Sequence, residues 1–156
     1  MIHKIQVTIL VLLIPIGGLY LYTKSQGIPF LEVFSLGTSV AFVGEIPINV
    51  EVADTVQKRV QGLSGRNAMD NSNGMLFVFD TADYHEIWMK DMKFPIDIIW
   101  IGEDLKVISI DSAVQPSSYP KKYRPTRPAR YVIETNERFT DTFIIMPGNS
   151  VRLPRW

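Results

Sequence analysis

Gly74-Met75-Leu76-Phe77-Val78-Phe79, then Ile87-Trp88-Met89-Lys90, then Phe94-Pro95-Ile96-Asp97-Ile98-Ile99-Trp100-Ile101 are three nearly all-apolar runs within 28 residues, and they decide the fold. Short runs rich in Ile, Val, Phe and Trp read as strands buried on both faces. They leave Lys90 and Asp97 among apolar neighbours. A charge buried without a partner costs several kcal/mol, so these two positions need a physical explanation.

Upstream, residues 39–43 and 46–52 are strand candidates joined at Gly44-Glu45, a link of hairpin type. In the second, Ile46, Ile48, Val50 and Val52 alternate with Pro47, Asn49 and Glu51, so one face is core and the other polar. Asp54 with Gln57 three residues on resembles a capping box, and Val56, Val60 and Leu63 repeat at helical spacing. The pattern predicts a short amphipathic helix ending at Gly62 or Gly65, followed by a turn-rich stretch at 67–73.

Downstream, Gly102-Glu103-Asp104 turns the chain into a strand at 105–110, and 112–128, with four prolines and no strand period, reads as a long loop. A strand at 130–135 sets Tyr131, Ile133 and Thr135 on one face and Arg130, Val132 and Glu134 on the other. A helical turn at 137–143 and a last strand at 150–153 follow. About seven short strands with one or two short helices predict a mainly β (α+β) fold, a small partly open barrel or sandwich.

The chain has 156 residues, with sixteen basic and sixteen acidic ones. That balance argues against a nucleic-acid partner, which would need a net basic face. There is no cysteine, which excludes disulfides, thiolate nucleophiles and Cys-type zinc sites. His3 and His85 are the two histidines, so a His-rich metal site is not expected, and no cofactor is implied.

Residues 5–22 are almost all apolar, between Lys4 and Lys24. Eighteen helical residues span roughly 27 Å, close to the hydrocarbon thickness of a bilayer. Residues 1–24 are therefore expected to form a membrane helix, 25–37 a juxtamembrane stalk and 38–156 the compact domain, lying outside the cytoplasm. The alternative is a cleaved signal that releases the domain, although Leu19-Tyr20-Leu21-Tyr22-Thr23 lacks the small residues of a cleavage site.

Several pieces carry a family resemblance: Val52-Ala53-Asp54-Thr55, Arg59, Gly62-Leu63 with Arg66, Gly74 to Phe79, Trp88-Met89-Lys90, Pro95 to Ile99, Arg130 to Glu134, and Gly148. In their order and spacing the chain resembles the bacterial and archaeal family known as domain of unknown function 192, over about two-thirds of its length. Ser64 stands where that family more often has Met, and Asn136-Glu137-Arg138 where a small residue and Gly are usual. The resemblance implies a compact, mainly β domain, often behind an export signal or anchor, and carries over no agreed activity.

Four residues are the candidate ligand contacts. Trp88 and Lys90 lie two apart and share a strand face, which suits stacking and charge recognition. The bland alternative is a core Trp with Lys90 at the edge. Asp97 needs either a cation, with Lys90, Arg66 and Arg59 available, or several backbone N–H donors. It is then either a ligand contact, with Arg66 beside it, or a strut between strands.

No nucleophile elbow, phosphate loop or metal spacing is present, so no catalytic residue is assigned. The favoured role is therefore binding of a small ligand, an envelope polymer or a partner protein. A hydrolase or lyase would have to bring Asp97, Glu51 and Glu134 together, with or without His85, in one pocket. A structural accessory of a membrane complex would instead show a contiguous apolar patch. The basic run Lys121, Lys122, Arg124, Arg127 and Arg130 either neutralises the acidic half of the domain or contacts anionic headgroups.

Overall fold

The computed structural model describes residues 39–155. The expected membrane helix at 1–24 and stalk at 25–37 lie outside the described residues. Those residues form β1 (Ser39–Val43), β2 (Ile46–Ala53), α1 (Val56–Gln61), β3 (Asn73–Asp83), β4 (Ile87–Trp88), β5 (Ile96–Ile101), β6 (Val107–Val114), β7 (Lys122–Tyr123), β8 (Ala129–Asn136), α2 (Phe139–Thr142) and β9 (Val151–Arg152). Seven strands make one sheet in the order β6-β5-β8-β3-β2-β1-β9, and β4 pairs with β7 in a two-stranded ribbon. Only β2 and β3 pair parallel, as a crossover through α1 requires.

The sheet curls into a half-barrel. Val43, Ile48, Leu76, Ile99, Ile101, Val107, Ile133 and Val151 share one apolar cluster, although they come from strands at both ends of the sheet order. Only a curled sheet brings those strands onto one core. Residues 148–151 join the two edges at one end: Val107 N donates to the Asn149 carbonyl at 2.9 Å, Val151 N to Leu105 at 2.8 Å, and Gly44 N to Ser150 at 2.7 Å. The sheet's other face is apolar too, with Met75, Phe77, Ile98, Trp100 and Val132, and is covered by Leu63, Ile87 and Met89. This double burial explains why β5 is apolar apart from Asp97, with all six residues buried. Trp100 adapts to it by donating its indole N–H to Asp111 at 2.8 Å.

The mainly β architecture, the 39–43/46–53 hairpin and the seven-stranded sheet agree with the sequence patterns. Four local readings need correction. The 112–128 segment is not one loop, since β6 runs on to Val114 and β7 pairs with β4. The strand expected at 87–90 stops at Trp88. The helix is not amphipathic in the expected sense: Val56 and Val60 are 69% and 65% exposed, and of that set only Leu63 is buried. Thr55, not Asp54, caps α1, its hydroxyl accepting from Lys58 N at 3.2 Å, while Asp54 pairs with the Lys58 ammonium at 2.8 Å.

Gly74 is required for space. A Cβ there would lie 2.7 Å from the backbone oxygen of Glu134 and 3.0 Å from Ile48 Cγ2, so β3 and β8 could not keep their spacing. Gly74→Ala is expected to cost about 1–3 kcal/mol in urea unfolding, the range of overpacked cores. A loss below a few tenths of a kcal/mol would show that the strands part freely.

Candidate ligand-binding cleft

The cleft forms where the C-terminal turn of α1 faces β4 across the outer face of the sheet. Gly62 ends the helix with φ 49° and its N–H on the Lys58 carbonyl, sending the chain back over β3. The following loop is fastened to the far wall: Ser64 Oγ donates to the Lys90 carbonyl at 2.8 Å, and Gly65 N to Asp91 at 2.9 Å. Phe77, Leu63, Ile87, Trp88 and Met92 line the cleft, with Arg59, Ser64 and Glu86 around them. Its cavity volume is about 40 Å³. That holds roughly three waters at ~10–15 Å³ each, and therefore the tip of a ligand.

Glu134 also lines this cleft. Strand pairing sets it between Met75 on β3 and Ile98 on β5, and it is only 4% exposed. No donor among the described residues reaches its carboxyl. Burial alone pushes that group up to about 8, so at neutral pH it is mostly protonated and uncharged. The sequence pattern sets Glu134 with Arg130 and Val132 on one strand face without marking that face as buried, and the structure makes it core at Val132 and Glu134. The face is core because β3 and β5 flank β8 on both sides, a register that alternation within one strand does not disclose.

The two charged side chains of the lining are already engaged. Arg59 Nη1 donates to the carbonyls of Val78 at 2.7 Å and Asp54 at 3.0 Å, with its guanidinium 5.3 Å from the Phe79 ring centre. Glu86 accepts from Lys122 at 2.5 Å and from Arg124, hydrogen bonds that hold its carboxyl below the usual range. Arg130 in turn pairs with Glu103 at 3.2 Å, so much of the basic run neutralises acids of the same domain.

Trp88 and Lys90 both point outward, between buried Ile87 and Met89, and Trp88 is 43% exposed. The cation that approaches the indole is Lys122, 6.0 Å from the ring centre. Arg66 lies elsewhere. It grips Glu51 at both oxygens, 2.5 and 2.8 Å, in a second cleft on the other side of Gln61-Gly62, and the contact lowers the Glu51 carboxyl.

Asp97 faces the interior of the curl, opposite Glu134, since it pairs with Thr135 while Ile98 pairs with Glu134. Its oxygens accept from Ala113 N at 2.8 Å, Thr140 N at 2.9 Å and Thr140 Oγ1 at 2.7 Å. Two backbone N–H groups and the Thr140 hydroxyl, not Lys90, Arg66 or Arg59, satisfy it. His85 stacks on Phe79 with 3.6 Å between ring centres, its Nε2 donating to the Thr81 carbonyl at 2.9 Å. Asp97, Glu51, Glu134 and His85 therefore do not converge, and the pocket required of a carboxylate hydrolase is not formed from them.

Two solved structures are similar to the chain. One is a protein of unknown function from Novosphingobium aromaticivorans, with TM-score 0.69 and 26% identity, covering 73% of this chain and 83% of that one. The other is a proposed transcription regulator from Sinorhizobium meliloti, with TM-score 0.69 and 27% identity, covering 74% and 92%. No curated protein matches. The family model described as "Uncharacterized ACR" matches residues 39–153, and with it the chain belongs to the domain of unknown function 192 family.

Proposed function

We propose that the domain is a recognition module that takes the tip of a small ligand or envelope polymer into the cleft over Glu134, with Trp88 as the contact surface at its edge. The observation that carries this is the carboxyl itself. A polar group held away from protein partners costs free energy unless water or a ligand meets it in the space left open, and the cleft leaves that space over Glu134. Glu134 is such a group, between apolar Met75 and Ile98 at a cleft of mixed polar and apolar lining, beside a half-exposed indole. Tethering by residues 1–24 on the outer side of a membrane would give the module access to envelope material. Lys90, on the same side of the chain as Trp88, would meet the part of the ligand that stays outside. The paired basic groups leave little free positive charge for a nucleic acid, which argues against carrying transcription regulation over from the Sinorhizobium protein.

The test is a ligand-observed NMR screen of sugars, amides and short peptides on the full chain in detergent micelles, repeated with Trp88→Ala. Hits whose signal falls at least fivefold in the variant are expected. A set of hits that ignores the substitution would remove the cleft as the binding site.

A further inference from the structure

Resting on that reading, we propose that the ligand is an N-acetylated sugar whose acetamido group enters the cleft and pairs with the Glu134 carboxyl while the sugar ring stacks on Trp88. Three observations lead there. The first is the chemistry of the floor. A carboxylic acid in an apolar setting presents one O–H donor and one carbonyl acceptor side by side, and a secondary amide presents the complementary N–H and C=O. The flanking strands offer no rival partner, since the neighbours of Glu134 are Met75 on β3 and Ile98 on β5. The charged groups lining the cleft, Arg59 on α1 and Glu86 ahead of β4, are committed to backbone carbonyls and to Lys122 with Arg124. A charged ligand would therefore find no counter-ion at the floor, and a neutral polar one is matched.

The second observation is size. About 40 Å³, room for roughly three water-sized groups, admits the tip of an acetamido group and leaves the ring it is attached to outside. The third is the wall. Trp88 is 43% exposed beside the cleft, and an indole face there receives the apolar face of a pyranose ring. A peptide carboxamide could satisfy the floor, but the rigid flat indole favours a ring.

The experiment is calorimetric titration of the full chain in micelles with N-acetylglucosamine, its β-1,4-linked disaccharide, glucose, and N-acetylasparagine amide. N-acetylglucosamine and the disaccharide are expected to bind at least tenfold more tightly than glucose or the peptide amide. Affinity should fall at least fivefold from pH 6 to pH 9, as Glu134 loses the proton it donates. Glu134→Gln keeps a donor and an acceptor in the same place, so it should bind within about threefold of the parent at pH 6 and lose the pH dependence. Glu134→Leu should abolish binding, and the Gln variant keeps the result interpretable if the Leu variant fails to fold. Equal binding of glucose and N-acetylglucosamine, tighter binding of the peptide amide, or no binding of any probe overturns the acetamido assignment. The broader cleft reading is decided separately by the Trp88→Ala screen.

Discussion

Replacing Asp97 by Ala is expected to cost about 4 kcal/mol of folding stability, enough to unfold a domain of ordinary stability at moderate temperature. Asp97 is fully buried, and its two oxygens add a polar tie between β5, the end of β6 and the start of α2. Ala113 has φ 51° at the bulge where the β5–β6 pairing slips between Ile96 and Ile98, and its N–H points at Oδ1. Thr140, in the first turn of α2, gives both its N–H and its hydroxyl to Oδ2, and the hydroxyl also meets Ser112 at 3.1 Å. Removing the carboxyl strands the buried N–H and hydroxyl of Thr140, each costing ~1–3 kcal/mol when unmet, leaves the part-buried Ala113 N–H without its acceptor, and opens a cavity besides. Asp97→Asn should cost less, about 2–3 kcal/mol, because one oxygen remains while an NH₂ faces a donor. Urea unfolding followed by far-UV circular dichroism measures both. A cost below 1 kcal/mol for Asp97→Ala would mean that the bulge and α2 are held by something else. Ligand affinity of Asp97→Asn should match the parent, since the residue faces away from the cleft.

Asp97 also shows how far the sequence could be read. Its position among Ile96, Ile98 and Ile99 marked it as buried, and the requirement for donors followed from elementary electrostatics. The donors were the hidden part. Thr140 is 43 positions away and Ala113 donates through its backbone, so no residue type advertised them. Strands were legible because apolar content and β-branching are local properties, and the β1–β2 hairpin because its turn is two residues long.

The parallel pairing of β2 with β3 and the order β6-β5-β8-β3 depend on contacts distant in sequence, and those contacts make Glu134 a buried floor. Val56 and Val60 misled for a related reason. Helical periodicity identifies an apolar stripe but not what will cover it, and here the stripe stays exposed beside the cleft.

Stability of the domain is expected to fall by about 4–5 kcal/mol as pH rises from about 4.5 to about 8, through Glu134 alone. The sign follows from proton counting. Between those two values the unfolded chain holds Glu134 ionised, because a solvated glutamic acid titrates near 4.5, while the folded domain keeps it protonated up to about 8. The folded state binds one more proton across that window, so raising the pH favours unfolding. Below 4.5 both states are protonated, and the full stability is present. Above 8 the folded state also ionises and the curve levels off, with a buried charge in place.

Glu134→Gln removes the titration and keeps the shape. Subtracting the unfolding free energies of parent and variant at each pH cancels every other group. The difference should move toward the variant by about 4 kcal/mol between pH 5 and pH 9, leaving the variant the more stable protein in alkali. A flat difference would show that the carboxyl is hydrated or paired in solution. The neutral donor at the floor of the cleft, on which amide recognition depends, would then be lost as well.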